Sequence, residues 1–261
     1  MILGVLRALW MIFWIFWGTL AIGGAAIVMA LFGIRGPVYV RMTRRWAQVA
    51  LWSSGSNAVL HGLENVTPGQ PFILVANHVS WFDIFAIAAR LPVDYHFVAK
   101  KELEKIPVFG LAWRVAGHIS IDRTNRESAA RSLRKAGEQM RQQKSVVVIF
   151  AEGTRSRTGR LLPFKKGAFV LAAETGIPII PTIVTGSFDI MRPDTFVVRP
   201  ATIHVYFEPA VPAQGVSVDA LMTRTRDVFV QRLGETDSLP PLDPAPALPD
   251  PTATARGEGS A

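Results

Sequence analysis

Residues 71–83 read Pro-Phe-Ile-Leu-Val-Ala-Asn-His-Val-Ser-Trp-Phe-Asp, an apolar run that ends in a polar segment. The run at 71–76 has the length and composition of a buried strand. His78 and Asp83 follow it directly. Ligand chemistry in α/β folds lies at the carboxyl ends of strands, where these side chains would fall. A nearby carboxylate can hold one imidazole nitrogen protonated and leave the other as a base. A histidine in a polar loop with an unrelated acid would show the same spacing.

Strand-like and helix-like segments alternate along the chain. Predicted strands lie at 71–76, 96–100, 118–122, 145–150, 179–186, 196–199 and 202–207, and predicted helices at 81–90, 126–143, 168–174 and 219–233. Asn125 has the type and position of an N-cap for the second helix. The alternation predicts an α/β fold with a mixed, mostly parallel sheet flanked by helices. Residues 199–201 are typical of a hairpin turn, so part of the sheet is expected to be antiparallel.

A second polar segment follows the apolar run at 145–150 and reads Ala-Glu-Gly-Thr-Arg-Ser at 151–156. Gly153 allows the backbone to approach a ligand, and the Arg155 guanidinium presents a fork of donors suited to a phosphate. Residues 151–167 carry five basic side chains and one acid, Glu152. We interpret this acid as holding the arginines in place, although a solvated basic loop has the same composition.

Four motifs in this order resemble the glycerolipid acyltransferase family, in particular the 1-acylglycerol-3-phosphate O-acyltransferases. They are Asn77-His78 with Asp83, Gly117–Arg123, Phe150–Ser156 and Ile177–Pro181. The third motif departs from the family pattern at Ala151, where proline is usual. The resemblance covers about residues 70–210.

The resemblance implies acyl transfer from a thioester, either acyl-coenzyme A or acyl carrier protein, without a cofactor. The expected acceptor is the sn-2 hydroxyl of 1-acylglycerol-3-phosphate (lysophosphatidic acid), which gives phosphatidic acid. Another lysolipid, such as lyso-ornithine lipid or a lysophospholipid, is the alternative acceptor. His78 would act as the general base and Asp83 would orient it. A catalytically silent membrane-binding protein and an esterase that uses Ser80 are the other hypotheses. Ser80 lacks a Gly-x-Ser-x-Gly context and is instead expected to cap a helix.

The remaining candidate residues concern substrate binding. Arg155 is the first candidate for the acceptor phosphate, and Glu152, Gly153 and Thr154 would shape its loop. Arg123 is a second candidate, unless it pairs locally with Asp122, and Lys100 is a third. His96 and His118 lie in strand-like runs and are expected to be structural. The chain has no cysteine, which excludes a cysteinyl-acyl intermediate, and no metal-ligand spacing, so no metal is predicted.

The excess of apolar residues is concentrated at the amino terminus. Residues 8–34 carry no charge over 27 positions, which is about 40 Å of helix, against about 30 Å for a bilayer core. Two interpretations remain open: a helix that spans the bilayer, or a helical hairpin in one leaflet. Because arginines follow the run, we expect the catalytic domain on the cytoplasmic side of a bacterial inner membrane.

The predicted organisation has four parts. A membrane segment at 1–34 is followed by a basic amphipathic connecting helix at 35–60, an acyltransferase domain at 61–233 and a disordered Pro/Ala-rich tail at 234–261. The net charge of +8 suits contact with anionic lipid headgroups. Nucleic acid is not an expected partner, because the basic residues form no recognisable nucleic-acid-binding module.

Overall fold

A computed structural model describes residues 2–122 and 124–234 of the chain. The strands are β1 Asn57–His61, β2 Ile73–Ala76, β3 Tyr95–Lys100, β4 Ile119–Ile121, β5 Val146–Phe150, β6 Ile179–Thr185 and β7 Thr202–Phe207. The helices are α1 Ile2–Gly18, α2 Gly24–Leu31, α3 Val38–Ser54, α4 Phe82–Arg90, α5 Phe109–Val115, α6 Arg126–Gln143, α7 Gly167–Thr175, α8 Ser187–Ile190 and α9 Val218–Leu233.

The seven strands form one sheet in the order β1-β7-β6-β2-β5-β3-β4. Neighbouring strands are parallel except for β6 and β7, which are antiparallel. The run that begins at Ile73 is the central strand, and all four of its side chains are fully buried. This burial explains its continuous apolar sequence, because a central parallel strand is covered on both faces. The predicted α/β class with a mixed, mostly parallel sheet is confirmed.

Helices cover both faces of the sheet. On one face, α3 and α4 pack on Leu74 and Ala76, and the N-terminal helix α1 packs outside them. On the other face, α6, α7 and α9 pack on Ile73 and Val75. Alternate residues of one strand therefore belong to different cores, as the strand period of two requires.

The connections that leave the two central strands, β2 and β5, run in opposite directions along the sheet. From β2 the chain crosses by α4 to β3, whereas from β5 it crosses by α7 to β6, on the opposite face of the sheet. Two neighbouring strands that diverge in this way leave a crevice at their carboxyl ends, which is where ligands bind in such folds. The two polar segments of the sequence, 77–83 and 151–156, begin at this crevice.

Several predicted elements have the predicted bounds, and others do not. The helix at 126–143 is confirmed together with its cap, because the Asn125 side chain accepts a hydrogen bond from the Ser128 amide. The strand predicted at 196–199 and the hairpin after it are wrong. Val198 instead donates its amide to the Gly4 carbonyl of α1, and Arg199 donates to Ile190. The antiparallel part of the sheet lies between β6 and β7, which are separated by the short helix α8.

Three elements were not predicted, namely β1, α5 and α8. β1 is an edge strand in which only Ala58 is buried, and its apolar run at residues 58–60 is too short to predict a strand by itself. It begins at Asn57, so the sheet starts before the boundary that we placed between residues 60 and 61. The predicted tail beyond Gly234 lies outside the described residues.

The amino terminus forms one long apolar helix. A π-helical segment, Thr19–Gly23, joins α1 to α2, and the 30 residues Ile2–Leu31 are long and apolar enough to cross a membrane by length and composition. The helix also packs along the α/β domain. A Cβ added to Gly4 would lie 2.6 Å from the Val197 side chain, and a Cβ added to Gly23 would lie 3.1 Å from the Val108 side chain. Its other face leaves large hydrophobic side chains exposed, among them Leu6, Leu9, Phe13, Phe16 and Trp17.

Candidate active site

His78 and Asp83 meet directly in the turn between β2 and α4. The His78 Nδ1 atom lies 2.8 Å from Asp83 Oδ2, and the Asp83 side chain is fully buried whereas the His78 side chain is 13% exposed. Among residues 2–122 and 124–234, no hydrogen bond to His78 Nε2 is found. The carboxylate thus fixes one ring nitrogen, and the other is left to exchange a proton.

The Asp83 carboxylate is held on both oxygens. Oδ2 also accepts hydrogen bonds from the amides of Val79, at 2.7 Å, and Ser80, at 2.9 Å. Oδ1 accepts a hydrogen bond from the hydroxyl of Ser187, the first residue of α8. Ser187 was missed by the sequence interpretation, because it is 104 residues from Asp83 and lies in a helix that was not predicted.

Ser80 does not have the surroundings of a nucleophile. Its hydroxyl donates to the Met191 carbonyl at 2.7 Å and accepts a long hydrogen bond, 3.4 Å, from the Phe82 amide. The expected capping contact is therefore weak, and the main contact of this hydroxyl is with the segment after α8.

An aromatic side chain covers one face of the His78 ring. Phe150, the last residue of β5, stacks on the imidazole with the ring centroids 4.2 Å apart and the planes inclined by 23°. Phe97 of β3 stacks in turn on Phe150 at 6.3 Å. The adjacent strands β5 and β3 thus limit the orientations that the imidazole can adopt.

Glu152 binds backbone amides and does not hold the arginines as we had interpreted. Its Oε1 accepts from the His78 amide at 2.6 Å and its Oε2 accepts from the Leu162 amide at 2.9 Å. The side chain is only 1% exposed. Burial raises the pKa of the Glu152 carboxyl to about 8, although both amide hydrogen bonds act in the opposite direction. Glu152 therefore connects the two polar segments of the site.

Further hydrogen bonds connect these segments and the neighbouring strand. The Ser156 amide donates to the His78 carbonyl at 2.8 Å, and the Asn77 side chain bonds both backbone groups of Val184 in β6. The Ala151 amide donates to the Ala76 carbonyl at 3.1 Å. Proline has no amide hydrogen, so Ala151, at the one departure from the family motif, makes a hydrogen bond that proline could not make.

Arg155 lies beside the turn that carries His78 and Asp83. Its guanidinium lies over the ring of Trp81, 4.9 Å from the centroid, and Trp81 is three residues from His78. The preceding Gly153 has φ of +70°, a left-handed conformation that favours glycine, and Thr154 is exposed. The loop thus presents a cation at the mouth of the crevice.

The other predicted cations are not brought to this cluster. Lys100 is exposed at the end of β3, and within the described part of the chain it makes no ion pair or hydrogen bond with the residues above. Arg123 lies outside the described residues. The neighbouring Asp122 carboxyl accepts hydrogen bonds from the Thr124 hydroxyl and amide, which hold its pKa below its usual range.

His96, in β3, and His118, which directly precedes β4, have different surroundings from His78. Burial lowers the pKa of His118 to about 3 and also lowers the pKa of His96. Both rings are therefore neutral at physiological pH and cannot provide a cation. In the residues that the structure describes, no group of three or more His, Asp or Glu side chains could hold a metal ion.

The chain is similar to known acyltransferases. A family model described as acyltransferase matches residues 57–185. The 1-acyl-sn-glycerol-3-phosphate acyltransferase alpha of Mus musculus is 30% identical over 197 residues, which are 71% of this chain and 69% of the relative. The 1-acyl-sn-glycerol-3-phosphate acyltransferases of Limnanthes douglasii and Cocos nucifera are 36% and 38% identical over 71% and 67% of this chain. The chain spans 66% and 56% of the length of these two plant relatives.

A solved structure has the same fold. The crystal structure of the 1-acyl-sn-glycerophosphate (LPA) acyltransferase PlsC from Thermotoga maritima matches with a TM-score of 0.74 at 26% identity. The match covers 91% of this chain and 99% of that chain. The chain belongs to the acyltransferase family that contains the 1-acyl-sn-glycerol-3-phosphate acyltransferases.

Proposed function

We propose that the protein transfers an acyl chain from an acyl thioester to the sn-2 hydroxyl of 1-acylglycerol-3-phosphate and releases phosphatidic acid. The observation that carries the proposal is the His78–Asp83 pair, in which Nδ1 is held by a buried carboxylate. A secondary alcohol attacks a thioester slowly unless a base removes its proton during the attack. The family's named members act on this acceptor, and the site contains a base suited to it.

The proposed reaction has two steps. The acceptor hydroxyl attacks the thioester carbonyl carbon while His78 Nε2 takes the hydroxyl proton, and a tetrahedral intermediate forms. The carbon–sulfur bond then breaks, the carbonyl is restored, and the imidazolium returns its proton to the thiolate. Asp83 stabilises the imidazolium between the two steps and is not itself protonated. No acyl-enzyme is required.

We assign the acceptor phosphate to Arg155. A guanidinium can bind a phosphate with two parallel hydrogen bonds, and Arg155 lies beside Trp81 on the same turn as the base. Gly153 and Thr154 shape the loop, whereas Glu152 acts through the backbone of His78 and has no oxygen left without a partner. Lys100 and Arg123 remain proposals for further phosphate contacts.

The acyl donor is proposed to be acyl-coenzyme A or acyl carrier protein, and the reaction needs no cofactor. Phe82, Phe85, Ile106 and Phe109 are proposed to line the path of the acyl chain. Phe85 and Phe109 both pack against Trp46 of α3. The path would thus run along the helices that carry the exposed apolar surface.

We propose that the protein binds the cytoplasmic surface of a bacterial inner membrane and that its N-terminal helix lies in one leaflet. Gly4 and Gly23 both contact the catalytic domain, and they are 19 residues apart, or about 28 Å of helix. A helix that crossed the bilayer would take this side of the domain into the hydrocarbon. A helix that lies along the domain exposes its apolar face to one leaflet.

The test is thiol release from oleoyl-coenzyme A by the purified protein in detergent, with lysophosphatidic acid, lysophosphatidylcholine, lyso-ornithine lipid or no acceptor. We expect release that requires lysophosphatidic acid, with phosphatidic acid identified by mass spectrometry. Release with a different acceptor would replace the proposed substrate and retain the reaction. Release without an acceptor would indicate a thioesterase and contradict the proposal. If no thiol is released with any acceptor, the assay is repeated with acyl-loaded acyl carrier protein as the donor.

A further inference from the structure

We propose that Ser187 is a positioning residue that completes a His78–Asp83–Ser187 relay. The inference rests on the proposed function of His78 as the base. It concerns a side chain outside the four motifs, at the start of α8. Ser187 is fully buried, and its hydroxyl donates to Asp83 Oδ1.

The hydrogen bonds of Asp83 are divided unequally between its two oxygens. Oδ2 binds His78 Nδ1 and the amides of Val79 and Ser80, all within the same turn. For Oδ1, the hydrogen bond found in the described residues comes from Ser187. Each carboxylate oxygen has about two acceptor positions, so Oδ2 is fully occupied whereas Oδ1 depends on Ser187. Because Asp83 is fully buried, water cannot readily replace a donor that is removed.

This arrangement gives Ser187 a specific effect on the base. Rotation of the carboxylate about its Cβ–Cγ bond moves both oxygens together, so Oδ2 shifts relative to the imidazole whenever Oδ1 moves. The donor on Oδ1 opposes this rotation and, together with the turn amides, fixes the direction from Oδ2 to the imidazole. A carboxylate held in this direction stabilises the imidazolium through the Nδ1 hydrogen bond.

The backbone around Ser187 holds the hydroxyl in place. Gly186 has φ of +82°, and a Cβ at that position would lie 2.4 Å from the Thr202 carbonyl oxygen of β7. Only glycine therefore fits there, and it brings the start of α8 against the sheet. At the other end of α8, the Met191 carbonyl accepts the Ser80 hydroxyl. The α8 segment thus contacts the catalytic turn at both of its ends.

The test compares Ser187→Ala with Ser187→Thr, which keeps the hydroxyl, and with Ser145→Ala as a matched control. Ser145 is a buried serine just before β5, and no hydrogen bond to its hydroxyl is found in the described residues. In the acceptor-dependent assay, we expect Ser187→Ala to lower kcat by about 10- to 100-fold, the range for one lost hydrogen bond to a charged group. The KM for either substrate should change less than about threefold. Ser187→Thr should recover most of the loss, and Ser145→Ala should match the wild type.

Two further readouts separate positioning from a loss of folded protein. The acid limb of the kcat/KM profile should move to lower pH in Ser187→Ala, because a carboxylate that Ser187 no longer holds stabilises the imidazolium of His78 less. His78 and Glu152 are the titratable groups next to Asp83. In protein labelled with 15N-histidine, His78 should hold its proton on Nδ1 in the wild type and exchange between both nitrogens in Ser187→Ala. This measurement needs no substrate. It therefore tests the relay even if the wild type proves inactive with every acceptor, a result that would contradict only the proposed function.

An unaltered kcat, pH profile and tautomer in a folded Ser187→Ala variant would overturn the inference. If Ser187→Ala does not fold, Ser187→Cys provides a side chain of similar size with a weak donor. A Cys variant as active as the Thr variant would then overturn the inference, because only the latter retains a strong donor.

Discussion

Two buried carboxyl groups hold different parts of His78. Asp83 binds the imidazole ring, whereas Glu152 binds the backbone amide of the same residue and the amide of Leu162. Phe150 adds a stacking contact to the ring face. One histidine is thus fixed at its ring edge, ring face and backbone by three residues from two segments of the chain, which is the preorganisation that a general base needs.

The Glu152 carboxyl makes stability depend on pH. Its pKa in the folded protein, about 8, exceeds its ordinary value of 4.5. A carboxyl with a raised pKa contributes stability that is present below its unfolded pKa and is lost as pH rises through the folded pKa. Glu152→Gln cannot ionise, but its side-chain nitrogen cannot accept one of the two amide hydrogen bonds. We therefore expect its melting temperature to lie below that of the wild type near pH 5 and this deficit to shrink by roughly 5 °C at pH 9. Glu174→Gln, at an exposed position, is the control and should not change with pH relative to the wild type. A difference in melting temperature between Glu152→Gln and the wild type that is the same at pH 5 and pH 9 would contradict the raised pKa.

Arg155 and Arg157 form a matched pair in one loop. Arg155 lies over Trp81, three residues from His78, whereas Arg157 forms a 3.0 Å ion pair with Asp194. We expect Arg155→Ala to raise the KM for lysophosphatidic acid by about 10- to 100-fold with a smaller effect on kcat, because a charged contact to the phosphate is lost. Arg157→Ala should leave both constants within about threefold, since an exposed ion pair contributes little. An unchanged acceptor KM in Arg155→Ala would move the phosphate site elsewhere.

Helices and strands with a strong local pattern in the sequence could be predicted from that pattern. The apolar runs of β2 and β5 and the capped helix α6 have nearly the predicted bounds, because burial on two faces and an N-cap both leave a mark on neighbouring residues. β1 is half-exposed at the edge, and α8 has only four residues, so neither has such a pattern.

The residues of the candidate site also divide into those with a local sequence pattern and those that only the fold brings together. His78 with Asp83 and the segment Phe150–Ser156 were found from motifs that are continuous in the chain. The role of Glu152 was misread, because charge alone suggested arginine partners and its amide partners depend on tertiary packing. Ser187 reaches Asp83 from 104 residues away, and no local pattern indicates such a contact.

Asn125 provides a test at the scale of one helix. Its side chain accepts the Ser128 amide at 2.9 Å and so satisfies one of the free amides at the start of α6. We expect Asn125→Ala to lower the free energy of unfolding by about 1 kcal/mol, whereas Asn125→Ser should retain most of it. The measurement is urea unfolding followed by circular dichroism. A loss that is the same for Ala and Ser would indicate that the cap contributes nothing.

The whole molecule has one strongly apolar side. The 30-residue N-terminal helix packs along the domain on one face and exposes Leu9, Phe13 and Phe16 on the other. Exposed apolar area of this extent requires a partner, and the bilayer is the partner that we propose. The crevice between β2 and β5 would then take an amphiphilic acceptor from the leaflet in which the helix lies.

The topology can be tested without background labelling because the chain has no cysteine. We expect Arg7→Cys, Arg35→Cys and Thr158→Cys to react with a membrane-impermeant maleimide from the same side of inner-membrane vesicles. Arg7 and Arg35 flank the uncharged run, and Thr158 is exposed on the catalytic domain. Reaction of Arg7→Cys from the opposite side would show that the helix crosses the bilayer.

The most direct test of His78 as the base is acceptor-dependent acyl transfer by His78→Ala beside the wild type, with binding of both proteins to vesicles as the control. We expect kcat to fall by about 10²- to 10⁴-fold, the usual contribution of a general base, while vesicle binding is unchanged. A His78→Ala variant that binds vesicles and transfers the acyl chain within tenfold of the wild-type rate would contradict the assignment of His78 as the base.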